Sequence, residues 1–382
     1  MAPDYIYVHA PFCARRCSYC DFAVTVDRSP DPGAWLEAIR AELLGHVQRH
    51  RWPRLKLRTL YVGGGTPSLL GDGAMAGLAA ALRDCADTDE TFEWTAEANP
   101  EHFSAGLAKD WRAAGVNRLS LGAQTFDPEV LRWMGRLHGP EGPARAIAAA
   151  RSAGLSNVSI DLIFGVPARL GRDWSGDLDR AIELDCEHVS LYGLTAEKEA
   201  PLGRWVADGR ETLADEDTYA EEYLMAAERL GAAGYVHYEV SNFARPGFES
   251  RHNRAYWTGA PYLGLGPGAH SYLPPHRFWN VRDWAAYRTR VLGAGPPAEA
   301  AGAIDGSERV DAETSSLEQA WLALRTNDGA RLETPAQQRM ADTWTARGWA
   351  VEAGGRVRLT AEGWLLLDRL AVEFETSALK SA

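Results

Sequence analysis

Three of the five cysteines in this sequence stand within eight residues of one another. Cys13, Cys17 and Cys20 have the spacing C-x3-C-x2-C. Thiolates on one short loop can hold a small iron–sulfur cluster, and three of them leave one iron of a [4Fe–4S] unit open for another ligand. A structural zinc ion commonly takes four protein ligands. The alternatives are therefore a zinc site that His9 completes, or a chance spacing.

A second group of residues suited to ligand binding follows the predicted strands at their carboxyl ends. The group comprises Gly64, Gly65, Thr66, Glu97, Gln124 and Asp161. Glycines let the backbone approach a ligand closely. Asp161 lies in an otherwise apolar run, and because an unpaired buried acid is costly, we expect a ligand or a basic partner beside it. Taken alone, the triple glycine is more often an ordinary turn, and Glu97 an exposed acid.

The elements that must position these residues alternate between strand and helix patterns. The predicted strands are Tyr5–His9, Thr59–Gly63, Phe92–Glu97, Arg118–Gly122, Asn157–Leu162, His188–Gly193 and Val236–Val240. Helical patterns between them include Pro32–His50, Pro143–Ala153 and Asp215–Leu230. This alternation predicts an α/β fold with a parallel sheet, and six or more units favour a full or partial TIM barrel. Ligand-binding groups of such barrels lie at the carboxyl ends of the strands.

The last part of the chain has a different pattern. Gly293–Ser307 is rich in Gly, Ala and Pro, which predicts a linker and two domains, residues 1–300 and 301–382. Helices are predicted at Leu317–Leu324, Pro335–Arg347 and Ala361–Phe374, with a hairpin before the last one. Helices followed by a small hairpin suggest a winged-helix-like module. Because this module has more acidic than basic residues, we expect a structural or lid role and no binding to duplex nucleic acid.

Composition limits the class of protein further. The chain has 382 residues, 46% of them hydrophobic, and a net charge of −12, so wholesale disorder is excluded and nucleic-acid binding is disfavoured. The sequence has no secretory signal pattern and no apolar run long enough to span a bilayer. Clustered cysteines in odd number indicate metal ligation in a reducing cytoplasm. Cys85 and Cys186 lack metal-ligand spacing and are interpreted as core residues.

The cysteine spacing, together with Tyr-x-His-x-Pro-Phe-Cys ahead of it, closely resembles the radical S-adenosylmethionine (SAM) enzymes. Within them it is most similar to the branch of oxygen-independent coproporphyrinogen III oxidases and HemW haem chaperones, over essentially the whole chain. The resemblance implies a partial (β/α)6-type barrel in which Cys13, Cys17 and Cys20 hold a [4Fe–4S] cluster and SAM binds the open iron. The other residues that the resemblance assigns to SAM are Tyr7, Gly64, Gly65, Thr66, Glu97, Gln124, Arg136 and Asp161. Arg136 is also a candidate partner for Asp161.

Two departures from the oxidase pattern favour a chaperone within this branch. Coproporphyrinogen-oxidising members typically carry a fourth cysteine in a C-x-C ending, whereas Cys20 is followed by Asp21 and Phe22. They also carry an extension of a few dozen residues before the cluster, whereas twelve residues precede Cys13. Both departures argue against decarboxylase activity.

The sequence His252-Asn-Arg-Ala-Tyr256-Trp257 resembles the HNxxYW mark of the HemW branch. An exposed imidazole is a natural axial ligand for haem iron, and aromatic rings pack on a porphyrin face. We therefore expect His252 to be a haem ligand, with Tyr256 and Trp257 as packing or orienting groups. The alternative is that this stretch closes the bottom of the barrel. His270 and His138 are weaker candidates for contact with haem or substrate.

The function predicted from the sequence is that of a cytoplasmic haem chaperone. It would bind a [4Fe–4S] cluster, SAM and haem, and deliver haem to haem proteins such as respiratory enzymes. Peripheral membrane contact and a homodimer would both fit that role, and productive cleavage of SAM stays open. The first alternative is a coproporphyrinogen III dehydrogenase, which abstracts hydrogen from a propionate with loss of CO2. The second is a zinc-stabilised winged-helix regulator.

Overall fold

The architecture is seen in a computed structural model that describes residues 2–293 and 303–379. Within those residues the strands are β1 (Tyr5–Ala10), β2 (Phe12–Cys13), β3 (Thr25–Val26), β4 (Leu55–Gly64), β5 (Ala86–Ala98), β6 (Arg118–Gln124), β7 (Asn157–Phe164), β8 (His188–Gly193), β9 (Val236–Glu239), β10 (Asn242–Ala244), β11 (Tyr262–Leu265), β12 (His270–Leu273), β13 (His276–Asn280), β14 (Ile304–Arg309), β15 (Ala330–Arg331), β16 (Ala350–Ala353) and β17 (Arg356–Leu359).

The helices of the described residues fall mainly between these strands. Their bounds are Pro32–Arg49, Ala74–Arg83, Ala105–Ala114, Pro128–Met134, Gly142–Ser152, Trp174–Glu183, Pro201–Ala207, Glu216–Ala232, Arg251–Trp257, Trp284–Gly293, Ala312–Leu324, Pro335–Ala346, Ala361–Trp364 and Leu367–Leu379. Short 3-10 turns lie at Pro67–Leu70, Pro100–His102 and Ala168–Leu170. None of the helices in this part of the chain is both long enough and apolar enough to cross a membrane.

Six parallel strands form the centre of the fold. β1, β4, β5, β6, β7 and β8 lie side by side in chain order, and every neighbouring pair is parallel. Apolar residues of the strands, such as Ile6, Val8 and Leu60, are fully buried. Right-handed crossovers through helices bring the carboxyl ends of such strands to one edge. The predicted partial (β/α)6-type barrel is therefore confirmed, and the sheet stays open because its outermost described strands are β14 and β9.

Both edges of the six-strand unit are extended by further strands, of which the sequence pattern indicated β9 alone. β11 pairs in parallel with β1, and β12, β13 and β14 then continue antiparallel. On the other edge β10 lies between β8 and β9, so the predicted strand at Val236–Val240 is an edge strand that runs antiparallel to β10. These extensions pair short or glycine-containing segments, which carry little periodicity of their own.

The predicted linker is partly wrong. Residues 304–307 of that stretch belong to β14, which pairs with β13 from His276↔Arg309 to Asn280↔Ile304. Residues 294–302 lie outside the described part of the chain, and so does the predicted domain boundary at 300/301. The division into two domains therefore stays a prediction.

The last elements form a small unit of helices and strands. β15, β17 and β16 make a three-stranded sheet, and Val357 of this sheet is buried, as are Trp344 and Leu370 of the neighbouring helices. The predicted helices and the hairpin are all present, although the last helix is broken between Trp364 and Leu367. The winged-helix comparison stays an interpretation.

Candidate functional site

The three clustered cysteines open onto one cavity of about 380 Å³, here called the cysteine cavity. Its remaining wall comes from residues at or near the carboxyl ends of β4 to β8. Among the residues predicted for SAM, it is lined by Gly64, Gly65, Thr66, Glu97, Gln124, Arg136 and Asp161. The rule for parallel barrels thus gathers residues that are far apart in sequence into one site.

The glycine turn holds the cysteine loop in place. The Gly65 N–H donates to the Ala10 carbonyl and the Thr66 N–H donates to the Phe12 carbonyl, each at 2.8 Å. A Cβ on Gly65 would lie only 2.7 Å from the Phe12 carbonyl oxygen. A side chain at this position would therefore push the two backbones apart. Gly65 therefore lets two segments of the backbone lie close together, and it also lines the cavity.

Polar side chains surround the sulfurs. The Thr66 hydroxyl donates to Cys13 Sγ at 3.5 Å, and a guanidinium nitrogen of Arg136 lies 3.8 Å from Cys17 Sγ. Burial raises the pKa of the Cys13 thiol and raises the pKa of Cys20 to about 11. Because a bound metal deprotonates a coordinating thiol, such groups become good ligands once cations are present.

Arg136 is not the partner of Asp161. Its guanidinium donates to the Asn99 side-chain oxygen and to the Gly122 carbonyl, both at 2.7 Å. Asp161 instead accepts a hydrogen bond from the Ser120 hydroxyl at 3.2 Å. The sequence-based expectation of an Arg136–Asp161 pair is therefore wrong, because the nearer carbonyl and amide oxygens satisfy the arginine.

Two partly exposed acids, Glu97 and Asp161, line the cavity. Burial raises the pKa of Glu97 to about 7, and the nearby Asp161 charge adds to this effect. Burial likewise raises the pKa of Asp161 to about 6. Glu97 accepts hydrogen bonds from the Tyr61 hydroxyl at 2.8 Å and from the Gly64 N–H at 3.1 Å. Both carboxyl groups are thus fixed in position and can exchange hydrogen bonds with a polar ligand.

Gln124 ends β6 with a left-handed backbone, at φ +69°. That conformation costs a non-glycine residue roughly 1–2 kcal/mol. Strained residues of this kind cluster at ligand sites, where the surrounding structure holds them. The position of the Gln124 side chain in the cavity wall agrees with its predicted role.

A second cavity, of about 730 Å³, lies beside the first and is here called the aromatic cavity. Its aromatic lining consists of Tyr7, Phe22, Tyr256, Trp257, Tyr262, Tyr272 and Trp321. Tyr7 therefore lies here and not in the wall of the cysteine cavity, where the sequence placed it. Asp21 and Phe22 line both cavities, so the segment that follows Cys20 separates them.

His252 lies deep at the amino-terminal end of the barrel. Its imidazole is 1% exposed, so the expectation of an exposed ring is wrong. Nδ1 is 2.6 Å from the Thr59 hydroxyl and Nε2 is 2.8 Å from the Tyr256 hydroxyl. Burial lowers the pKa of His252 to about 3. Both ring nitrogens are occupied in this conformation, and a role as iron ligand stays a prediction that requires Tyr256 to move.

The sequence around His252 folds as a short helix because its amino-terminal end is well satisfied. The Ser250 hydroxyl caps the Asn253 N–H, and Glu93 of β5 accepts from the N–H groups of Arg251 and His252, both at 3.1 Å. Carboxylates are favourable at this end of a helix. The helix thereby presents Tyr256 to the aromatic cavity.

Among the other histidines, His9 and His138 have hydrogen-bond partners, whereas the ring nitrogens of the buried His46 have none among the described residues. His9 Nε2 donates to the Ala23 carbonyl at 2.8 Å, so Nδ1 accepts from the Tyr7 hydroxyl at 3.0 Å. His9 is therefore occupied and does not complete a zinc site. The described residues contain no group of three or more His, Cys, Asp or Glu side chains arranged around a single metal ion. His138 joins Glu101 and the Ala123 carbonyl, as a satisfied polar residue would.

Some contributors to these cavities were not recognised from the sequence. Asn99 links Thr66 to Arg136, and it follows Glu97 closely enough for the strand end to have indicated it. Tyr192 at the end of β8 lines the cysteine cavity, and Arg282 lines the aromatic one. Cys85 and Cys186 are buried, as predicted.

Comparison with known proteins places the chain in one family. The family model described as Radical SAM superfamily matches residues 7–180. The chain is 38% identical to "Heme chaperone HemW" of Mycobacterium tuberculosis, over 96% of this chain and 93% of that protein. It is 33% identical to the Bacillus subtilis protein of that name (85% and 83%) and 36% identical to the Escherichia coli one (71% and 70%).

Among solved structures, the chain resembles coproporphyrinogen III oxidase (HemN) from Escherichia coli. The TM-score is 0.81 at 22% sequence identity, over 98% of this chain and 90% of that one. At this identity the likeness shows that the two proteins share a fold.

Proposed function

Because the chain belongs to the HemW family of the radical SAM superfamily, we propose that it is a haem chaperone with two adjoining binding sites. The cysteine cavity takes a [4Fe–4S] cluster and SAM, and the aromatic cavity takes haem. The observation that carries this proposal is that the two cavities share the Asp21–Phe22 segment directly after Cys20. A change at the cluster therefore has a short path to the haem site.

The residues of the cysteine cavity fit a cluster and SAM. Cys13, Cys17 and Cys20 would each bind one iron, and the polar groups at the strand ends would hold SAM. A [4Fe–4S] cluster supplies one-electron chemistry when it is bound. Glu97 and Asp161, whose pKa values burial raises to about 7 and about 6, line this cavity and would offer carboxyl oxygens to the hydrogen-bonding groups of SAM.

The residues of the aromatic cavity fit a large flat ligand with acidic groups. Its volume of about 730 Å³ lies within the ~300–1,000 Å³ typical of small-molecule sites. Tyr256 and Trp257 contribute aromatic surface to its wall. Arg282 adds positive charge, and Arg277 stands beside it in the wall, paired with glutamates. Haem combines an aromatic macrocycle with two propionates, which this lining suits.

The proposal also covers the cellular location of the protein and the proteins that accept its haem. We place it in the cytoplasm, where its cysteines stay reduced, with haem proteins such as respiratory enzymes as acceptors. Contact with membrane-bound acceptors would be peripheral. A homodimer fits the same role.

The competing function is coproporphyrinogen III dehydrogenase. Against it, Phe22 stands where the oxidase pattern has its fourth cysteine, and its ring is 58% exposed at the boundary between the cavities. We therefore expect no oxidative decarboxylation of coproporphyrinogen III.

The decisive experiment uses protein with verified iron and sulfide content under anaerobic conditions. Haem is titrated and followed by absorbance, and the loaded protein is mixed with the haem-free form of a respiratory enzyme whose activity reports transfer. We expect binding and faster activation than with the same amount of free haem. In parallel, coproporphyrinogen III is supplied with SAM and a reductant.

Two results would contradict the proposal. One is formation of protoporphyrinogen, which would make the protein a dehydrogenase. The other is the absence of saturable haem binding by protein with an intact cluster. Cys17→Ser protein is the matched control, since it tests whether transfer depends on the cluster.

A further inference from the structure

The histidine at the aromatic cavity with the best access is His270, on β12. It is exposed and belongs to the cavity lining. His9 lines the same cavity but has hydrogen bonds at both ring nitrogens. His252 lies behind Tyr256 and is occupied in the same way. Among the described residues, no hydrogen-bond partner meets either ring nitrogen of His270.

The backbone around His270 is paired in a strand ladder, so the ring has a defined position. β12 lies between β11 and β13, and His270 pairs with Trp279 across the ladder. The two rings stack with centroids 5.7 Å apart and planes 25° from parallel. Before it, Gly268 turns the chain with a φ of +69°. A preorganised side chain binds a ligand at lower entropic cost.

The charges near His270 leave its imidazole neutral and ready to donate a lone pair. Partial burial lowers the pKa of His270, and Arg277 and Arg282 lower it further, while Glu308 acts in the opposite direction. A neutral imidazole nitrogen is the form that binds a metal.

The two arginines of the cavity differ in what they can still bind. Arg277 already pairs with Glu308 at 2.6 Å and Glu318 at 2.9 Å. Arg282 donates to the Asp21 carbonyl, but within the described residues no carboxylate pairs with it. Arg282 is thus the cation of this cavity that remains available for a ligand carboxylate, and a guanidinium suits that geometry.

From this arrangement we infer that His270 is the axial ligand of haem iron in the aromatic cavity, and that Arg282 binds a haem propionate. The inference rests on the proposed haem-binding function and specifies its site. A ring nitrogen of His270 would donate its lone pair to the iron and displace a weakly held water, with no change of oxidation state. The Tyr256–His252–Thr59 chain would then be a positioning unit behind the cavity wall.

Ferric haem titration of cluster-loaded variants tests the assignment. We expect His270→Ala to lose the histidine-ligated absorbance and EPR signals and to bind haem at least tenfold more weakly. Added imidazole should restore the spectrum, since it can occupy the vacated ligand position. His276→Ala is the matched control, because His276 is also exposed on the next strand but does not line the cavity. It should behave as the wild type.

The contact between Arg282 and a haem propionate is tested by comparing the affinities for haem and for its dimethyl ester. Wild-type protein should bind haem more tightly than haem dimethyl ester, which lacks the negative charges. Arg282→Gln should weaken haem binding roughly tenfold and leave ester binding unchanged. A variant that still discriminates between haem and its ester would overturn the role of Arg282.

The outcomes separate this inference from the proposed function. If wild-type protein binds no haem, the chaperone proposal fails and the ligand assignment falls with it. If the wild type binds haem and His270→Ala keeps its spectrum and affinity, the assignment alone is overturned. Loss of the signal in His252→Ala, with His270→Ala unaffected, would identify His252 as the ligand instead.

Discussion

The two cavities of this protein are built in opposite ways. The cysteine cavity is assembled from the carboxyl ends of consecutive parallel strands, each followed by a short motif. The aromatic cavity is assembled from β11 to β13, the Arg251–Trp257 helix and the Ala312–Leu324 helix, with the cysteine loop on its rim. The first follows a general rule of barrel folds, whereas the second depends on how an irregular extension packs.

The cavities also differ in the direction in which burial shifts the pKa values of their titratable groups. Glu97 and Asp161 of the cysteine cavity have raised pKa values. His9 and His270 at the aromatic cavity have lowered ones. The first cavity thus resists the loss of protons, and the second resists their gain. Near neutral pH this leaves Glu97 able to hold or release a proton beside the cysteines, and His270 neutral beside the aromatic rings, whereas the ring nitrogens of His9 are already hydrogen-bonded.

The largest expected effect is the loss of the cluster from the cysteine cavity while the aromatic cavity keeps its ability to bind haem. Cys17→Ser removes one of three thiolates, so we expect iron and sulfide content to fall to background while the barrel remains folded. Haem binding should change by less than about threefold, because Cys17 does not line the aromatic cavity. Iron and sulfide analysis, circular dichroism and haem titration check this.

Cys85→Ala is the control for that substitution, since Cys85 is buried outside both cavities. It should keep the wild-type cluster content. A Cys17→Ser protein that retained its cluster would show that the ligand assignment is wrong.

The next prediction tests the close contact between Gly65 and the Phe12 carbonyl, which lies directly before the first cysteine of the cluster. In Gly65→Ala the new Cβ would lie 2.7 Å from the Phe12 carbonyl, with no flexible side chain to yield. Overpacking of this kind costs about 1–3 kcal/mol. We expect a lower melting temperature and poor cluster retention, measured by calorimetry and iron content. Haem affinity should fall less than cluster content does.

Gly106→Ala is the comparison for that change. Gly106 lies inside a helix, and a Cβ there would have its nearest neighbour at 3.6 Å. Alanine is the better helix former by up to ~1 kcal/mol, so this variant should be at least as stable as the wild type. An equal loss of stability in both variants would contradict the steric explanation.

The contrast between the two cavities also explains which features of the structure could be predicted from the sequence. The six central strands, the loop that carries the three clustered cysteines and the residues at the strand ends were predicted, because in a parallel barrel the order of motifs in the sequence becomes proximity in space. The partner of Arg136 was not, since a guanidinium chooses among several nearby oxygens that no spacing reveals. The exposure of His252 was also predicted wrongly. Its HNxxYW sequence led to the expectation of an exposed haem ligand, but burial depends on the helix packing against β4 and β5.

A moderate effect is expected from the acids of the cysteine cavity. Because the folded-state pKa of Glu97 is raised from 4.5 to about 7, the folded state holds a proton that the unfolded state releases between those values. The free energy of unfolding should therefore fall as the pH rises from about 4.5 to 7. In Glu97→Gln this dependence should weaken, and the variant should gain stability relative to the wild type above pH 7.

The measurement is urea unfolding of cluster-free protein across that pH range, with Glu90→Gln as the control, since Glu90 is exposed. A pH slope in Glu97→Gln equal to that of the wild type would mean that Glu97 is not the titrating group. The aromatic cavity should behave in the opposite sense. Its histidines have lowered pKa values, so their protonation destabilises the fold as the pH drops below the ordinary histidine range.

The smallest effect concerns the segment that both cavities share. Phe22 is 58% exposed, so Phe22→Ala should alter the free energy of unfolding by less than about 0.5 kcal/mol. Its ring nevertheless lines both cavities. We expect haem affinity to fall about two- to fivefold in cluster-loaded protein, because one apolar wall of the site is lost.

Phe22→Cys sharpens the same point, because it places a thiol where the oxidase pattern has its fourth cysteine. If the missing cysteine were all that separates the two activities, this variant would form protoporphyrinogen from coproporphyrinogen III. We expect no turnover, since the substitution alters one wall residue and leaves the rest of the aromatic cavity, His270 included, as it is. A variant that gained turnover and lost haem binding would show that one side chain between the cavities decides which chemistry the fold performs.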